Sequence, residues 1–166
     1  MAYRNKTYVI FDADNDMWAY RFMLGWKSLE HLDFDFHDAH DLNTITDRAN
    51  EETVKRKLRE RFANAKQVVV IVGENTKNLY RFVRWEIETA LDLKLPIVVT
   101  YLNGKRSVDV ALCPPILKGK DAIHVAFKMK IIKHAMDYFI DGYVTLYAGH
   151  ADDWHYNDEV YRSLGL

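Results

Sequence analysis

Gln67-Val68-Val69-Val70-Ile71-Val72-Gly73 and, shortly after it, Arg81-Phe82-Val83-Arg84-Trp85-Glu86-Ile87-Glu88-Thr89-Ala90-Leu91 decide the fold. The first stretch is a continuous β-branched run, which suits a central parallel strand covered on both faces. In the second, Leu79, Phe82, Val83, Ile87, Ala90 and Leu93 recur at three- and four-residue spacing, the mark of one apolar helix face. Glu86 lies inside that stripe, four after Phe82 and four before Ala90, whereas Glu88 falls on the side of Arg84 and Asp92. One glutamate therefore points inward and the other outward. An inward carboxylate is costly unless it is compensated. Glu86 reads either as a buried acid paired with Arg84 or Arg81, or as a tuned acid in a cleft.

Outward from this pair the chain alternates. Thr7–Phe11 is a short β-rich run that ends in the polar loop Asp12-Ala13-Asp14-Asn15-Asp16. The pattern predicts a helix over Met17–Leu32, a strictly alternating strand Asp33–Phe36 and a polar loop His37–Asn43. Glu51–Asn64 is a charged amphipathic helix with Val54, Leu58 and Phe62 at four-residue steps. Asn75, Thr76 or Asn78 is the expected cap of the Glu86 helix. Leu95–Tyr101 and Ala122–Phe127 are further strands, Asn103–Asp121 is mostly loop, and Lys130–Ile140 is a last long helix. A short helix is predicted over Trp154–Leu164. This alternation predicts an α/β fold, a flavodoxin-like five-stranded, mostly parallel sheet of order 2-1-3-4-5 with helices on both faces. Residues 1–141 form the predicted domain, with 142–166 as an aromatic extension packed on it.

Composition narrows the function classes. The 166 residues are 49% hydrophobic and 13% aromatic, enough for one sizeable core, and the formal net charge of -1 gives no global pull toward nucleic acid or an anionic membrane. The one cysteine, Cys113, rules out an internal disulfide and suits a reducing compartment. No apolar run approaches the roughly 20 residues of a membrane helix. A cytoplasmic protein without membrane or nucleic-acid partners is the expectation.

Five features stand in the order found in TIR-like domains. They are Phe11–Asp16 after the first strand, Asp38-Ala39-His40-Asp41-Leu42-Asn43, the strand Val68–Gly73 with Glu74-Asn75-Thr76, Arg84-Trp85-Glu86 on the third helix, and Leu95-Pro96-Ile97. From about residue 5 to about residue 140 the chain resembles the bacterial TIR-like branch that includes the ThsB-type proteins of Thoeris anti-phage defence. The resemblance implies that Glu86 is catalytic for cleaving NAD at the nicotinamide–ribose bond. It implies a substrate-binding set drawn from Phe11, Asp12 and Asp14, from His40, Asp41 and Asn43, from Asn75 and Thr76, and from Arg84 and Trp85. NAD is then the substrate, with no separate cofactor and no metal. A cyclic or otherwise modified ADP-ribose product, a homo-oligomer, a phage-derived trigger and a downstream nucleotide-sensing effector are implied with it. Strand one departs from the family pattern, because Asp12 and Asp14 stand where many members carry a serine or a small residue.

Other readings compete. A TIR-like scaffold working by self-association needs no Glu86 chemistry. Asp12-Ala13-Asp14 after a strand is also the form of a Mg²⁺-dependent phosphatase nucleophile loop, which needs a second acidic pair; Asp152-Asp153 is the one on offer. A nucleoside deoxyribosyltransferase has a similar sheet and a glutamate that attacks a sugar. The aspartate run does not fit an EF-hand, since Met17 and Met23 stand where glycine and glutamate are required. The spacing of His37, Asp38, His40 and Asp41 matches no standard metal set.

Overall fold

The β-branched run forms β2 (Gln67–Val72), buried along its whole length. Its side chains alternate between two cores: Val68, Val70 and Val72 enter one, and Val69 and Ile71 the other. This is the period-two geometry of a strand covered on both sides. The computed structural model describes residues 6–29, 34, 36 and 50–166. Around β2 the chain builds β1 (Thr7–Ile10), α1 (Met17–Ser28), α2 (Glu51–Phe62), α3 (Phe82–Asp92), β3 (Ile97–Tyr101), β4 (Ile123–Ala126) and α4 (Met129–Gly142). It closes with β5 (Trp154–His155) and α5 (Asp158–Ser163).

Among the described residues the architecture is α/β, a parallel five-stranded sheet between two helical layers. Tyr8 pairs with Val68 and Ile10 with Val70, while Val68 pairs with Ile97 on its other side. α1 and α4 cover one face, through Ala19, Tyr20, Met23, Ile132, Ala135 and Phe139. α2 and α3 cover the other, through Phe62, Val83, Ile87 and Ala90. α2 also packs on α3, where Val54 and Leu58 meet Trp85. Lys55 ties the same two helices, 2.8 Å from Glu51 and 2.7 Å from Glu88.

Two expectations change. The predicted order was 2-1-3-4-5; among the described residues the strands run β1-β2-β3-β4-β5. Four predicted strands keep their neighbours, and the fifth comes from the tail, at Trp154–His155, where a helix was expected to begin. The reason is the free edge of β4. Trp154 N–H donates to Ala122 O at 3.0 Å, so the tail satisfies that edge before it coils into α5. Of the predicted strand Asp33–Phe36 the structure describes Phe34 and Phe36, both buried in the α1 core, and neither is strand-paired. The second change is at α3, which starts with no side-chain cap. Asn75, Thr76 and Asn78 belong instead to a separate 3₁₀ turn, Thr76–Asn78, with Asn75 before it. No helix among the described residues is long and apolar enough to cross a membrane.

Asp121 anchors the tail to the domain. Asp121 accepts from the backbone N–H of Gly149 (2.8 Å), His150 (3.2 Å) and Asp152 (2.9 Å). Tyr161 is fully buried, and its hydroxyl accepts from Ala126 N–H at 3.1 Å. Burial works against an ionised Asp121, but the backbone donors hold its carboxyl below the ordinary range. Stability from Asp121 is therefore present above the unfolded carboxyl's titration and is lost as pH falls through the folded one. Asp121 also holds φ 59, which alanine adopts at a cost. Asp121→Ala is expected to cost about 2–4 kcal/mol at neutral pH, through lost charge-assisted hydrogen bonds and left-handed backbone. Urea unfolding at pH 7 and pH 3 checks it: the loss should shrink at the lower pH, and a loss below about 0.5 kcal/mol would contradict the anchor.

Candidate functional site

The loop that follows β1 is built on Asp12. Its Oδ1 accepts from the N–H of Asp14 (3.0 Å) and Asn15 (3.3 Å), and its Oδ2 from Asn15 Nδ2 (2.7 Å). This Asx turn leaves Asp12 buried and Asp14 exposed beyond it. A cavity of about 450 Å³ opens between this loop and the start of α3. That size suits a small-molecule ligand. Phe11, Asp12, Ala13 and Asp14 line one side, residues 78–83 the other, and Glu86 stands in its wall.

Glu86 is 4% exposed. The Tyr8 hydroxyl donates to its Oε2 at 2.9 Å, joining β1 to α3 beneath the cavity. Burial pushes the Glu86 carboxyl up to about 8, while the Tyr8 hydrogen bond and the charge of Arg61 pull it the other way. In the folded chain it is therefore mostly protonated at pH 7. Burial first, and then the Glu86 charge, push the Tyr8 phenol far above its ordinary range. Glu88 faces outward and is held by Lys55 and by Arg84, the latter at 2.9 Å. The inward and outward readings of the two glutamates both hold. The pairing of Glu86 with Arg84 does not, because Arg84 sits on the exposed side of α3 and is spent on Glu88.

The other sequence-derived candidates divide. Phe11, stacked on Tyr20 with ring centroids 4.5 Å apart, lines the cavity with Asp12 and Asp14. Thr76 is buried, its Oγ1 accepting from Gly73 N–H at 2.9 Å. Asn75 lines a separate cavity on the other side of the β1 loop. Trp85 packs between α2 and α3, away from the cavity wall. His40, Asp41 and Asn43, with His37, lie outside the described residues.

Tyr8 and Arg61 were not singled out from sequence, and Arg81 was considered there only as an ion-pair partner of Glu86. Strand parity puts Tyr8 on the same face as Ile10, but which helix covers that face is a tertiary fact. Arg81 lines the cavity, its guanidinium 5.7 Å from the ring centroids of both Phe82 and Trp85. The acidic pair required by the phosphatase reading is placed elsewhere. Asp153 accepts from Gly119 N–H at 2.8 Å and faces His124 at 3.3 Å beside β4.

Compared with known protein families, residues 8–107 match the model described as Thoeris protein ThsB, TIR-like domain. The match spans more than half of the chain, from β1 past β3, and includes every described residue of the Glu86 cavity. The chain belongs to this family and is a TIR-type protein of the Thoeris defence group.

Between the ordinary carboxyl value of 4.5 and about 8, the folded chain keeps a proton on Glu86 that the unfolded chain has lost. Stability therefore falls as pH rises through that window. Glu86→Gln removes the penalty. It is expected to stabilise the fold by on the order of a few kcal/mol near pH 8 and by little near pH 4. Thermal unfolding of both forms across that range checks this, and a difference independent of pH would contradict a buried, protonated glutamate.

Proposed function

We propose that this member of the Thoeris ThsB TIR-like family cleaves NAD at the nicotinamide–ribose bond, with Glu86 as the catalytic residue. The observation that carries the reading is Glu86 itself, a desolvated carboxyl hydrogen-bonded by Tyr8 in the wall of a cavity of about 450 Å³. A glutamate kept there against its own desolvation is the signature of a tuned acid.

The chemistry asks little of the protein at the leaving group. The bond between C1′ and the pyridinium nitrogen breaks, its electron pair goes to that nitrogen, and nicotinamide departs neutral. The ribose becomes oxocarbenium-like, as in glycoside hydrolysis. A carboxylate beside the ribose orients the sugar and stabilises the positive charge that develops. Glu86 by itself is mostly protonated at pH 7; the cationic substrate favours its ionised form. Phe11 and Phe82 give the cavity apolar walls, and Arg81 with the uncapped start of α3 gives it positive potential for a diphosphate. Water capturing C1′ yields ADP-ribose and releases a proton. A nucleophile of the same molecule, an adenine nitrogen or a ribose hydroxyl, yields a cyclic product. We favour the cyclic or otherwise modified product, made by an oligomer in the cytoplasm after a phage-derived trigger and read by a separate nucleotide-sensing effector.

Chromatography with mass spectrometry of NAD incubated with the purified chain tests the reading, repeated in lysate of phage-infected cells. Wild type should consume NAD and form an ADP-ribose species, and Glu86→Gln should lose about 10³-fold or more of that rate. No turnover in either setting overturns the enzyme and leaves the scaffold. With turnover in hand, kcat/KM should rise with pH toward about 8, the free-site value of Glu86. Tyr8→Phe removes a hydrogen bond that favours the carboxylate, so this limb should move to higher pH; an unmoved limb would separate Tyr8 from the chemistry.

A further inference from the structure

The β1 loop has a second side. There a cavity of about 390 Å³ opens at the carboxyl ends of β1, β2 and β3, walled by Asp16, Trp18, Glu74, Asn75 and Leu112 among others. Asp16 occupies the N-cap position of α1, yet its side chain does not cap the helix. The carboxylate is folded over Gly73 instead. A Cβ at position 73 would lie 2.4 Å from its Oδ2, so only glycine leaves room for it. Asp16 is 6% exposed, and Oδ2 is buried with no hydrogen-bond partner among the described residues.

A buried carboxylate oxygen without a partner, as Oδ2 is among the described residues, is a costly arrangement for a small domain to keep. No basic side chain among the described residues lines this cavity. Burial, then Asp12 and Glu74, push the Asp16 carboxyl above its ordinary range, so the surroundings are short of positive charge. Trp18 stands at the rim, 48% exposed, with a ring face of the kind that attracts cations. Asn75 adds an amide that makes no side-chain hydrogen bond in its 3₁₀ turn.

We propose that this cavity binds a small organic cation, whose primary ammonium or guanidinium group pairs with Asp16 while its body lies against Trp18. A metal ion is the weaker occupant. Among the described residues no three His, Cys, Asp or Glu side chains converge here, and about 390 Å³ is far more than one ion fills. The site is separate from that of NAD cleavage: Asp14 faces the Glu86 cavity, and Asn15 and Asp16 face this one.

Isothermal titration calorimetry with agmatine, which carries one ammonium and one guanidinium, tests the assignment on the full chain. Wild type and Glu86→Gln should bind alike. Asp16→Asn should weaken binding about tenfold or more, and Trp18→Ala severalfold. Circular dichroism checks folding, and Trp18→Ala, at an exposed position, keeps the test decisive if Asp16→Asn fails to fold. Absence of agmatine binding, equal binding by Asp16→Asn and Trp18→Ala, or loss of binding in Glu86→Gln would each overturn the proposal. So would Asp16-dependent binding of Mg²⁺ alone without binding of agmatine. The NAD assay does not enter these readouts, so either reading can fail without the other.

Discussion

A hydroxyl on the first strand donates to a carboxyl on the third helix, 78 residues later in the chain. Much of the molecule is arranged so that this contact exists. Tyr8 must face α3, which fixes the parity of β1: Tyr8 and Ile10 turn toward α2 and α3, and Val9 and Phe11 toward α1. Glu86 must face the sheet, which sets the rotation of α3 and turns Glu88 outward to Lys55 and Arg84. The same rotation sends Trp85 into the α2 interface, where Val54 and Leu58 receive it. A buried carboxyl is tolerated because the hydrogen bond and the Arg61 charge offset part of its desolvation.

The loop after β1 organises the end of the sheet where ligands gather in such folds. Asp12 gathers the N–H groups of Asp14 and Asn15 and the Asn15 amide. The aspartate closes the turn on its own backbone, a local use that short polar side chains share. The loop then divides two cavities. Asp14 faces one with Glu86, and Asn15 and Asp16 face the other with Glu74 and Trp18. Gly73 serves both ends of this arrangement, since its N–H is held by Thr76 and its bare Cα admits the Asp16 carboxylate.

The tail resolves a different problem. Without it β4 would present an open edge, and the α4 face would carry exposed aromatic surface. Trp154 and His155 complete the edge, while Tyr147, Tyr156 and Tyr161 pack into the core shared by α1 and α4. Asp121 holds the returning chain through three backbone N–H groups. α4 itself runs through Gly142, so the boundary drawn at residue 141 falls inside a helix.

The sequence by itself determined the layer order, because period-two and period-3.6 patterns are local. The valine run suited a covered strand and forms one, and one stripe of α3 sufficed to turn Glu86 inward and Glu88 out. The ordered motifs from Phe11 to Ile97 were likewise enough to identify the family. What the pattern could not carry were contacts made across the chain. Tyr8 meets Glu86, Asp16 lies over Gly73, and Trp154 pairs beside β4 through packing that no spacing encodes. Arg84, Trp85 and Thr76 sit near the right stretch in sequence but were drawn to Glu88, α2 and Gly73. Polar side chains have several partners within reach of a given backbone. Only the assembled fold, by deciding which of them is desolvated beside which, selects the one they keep.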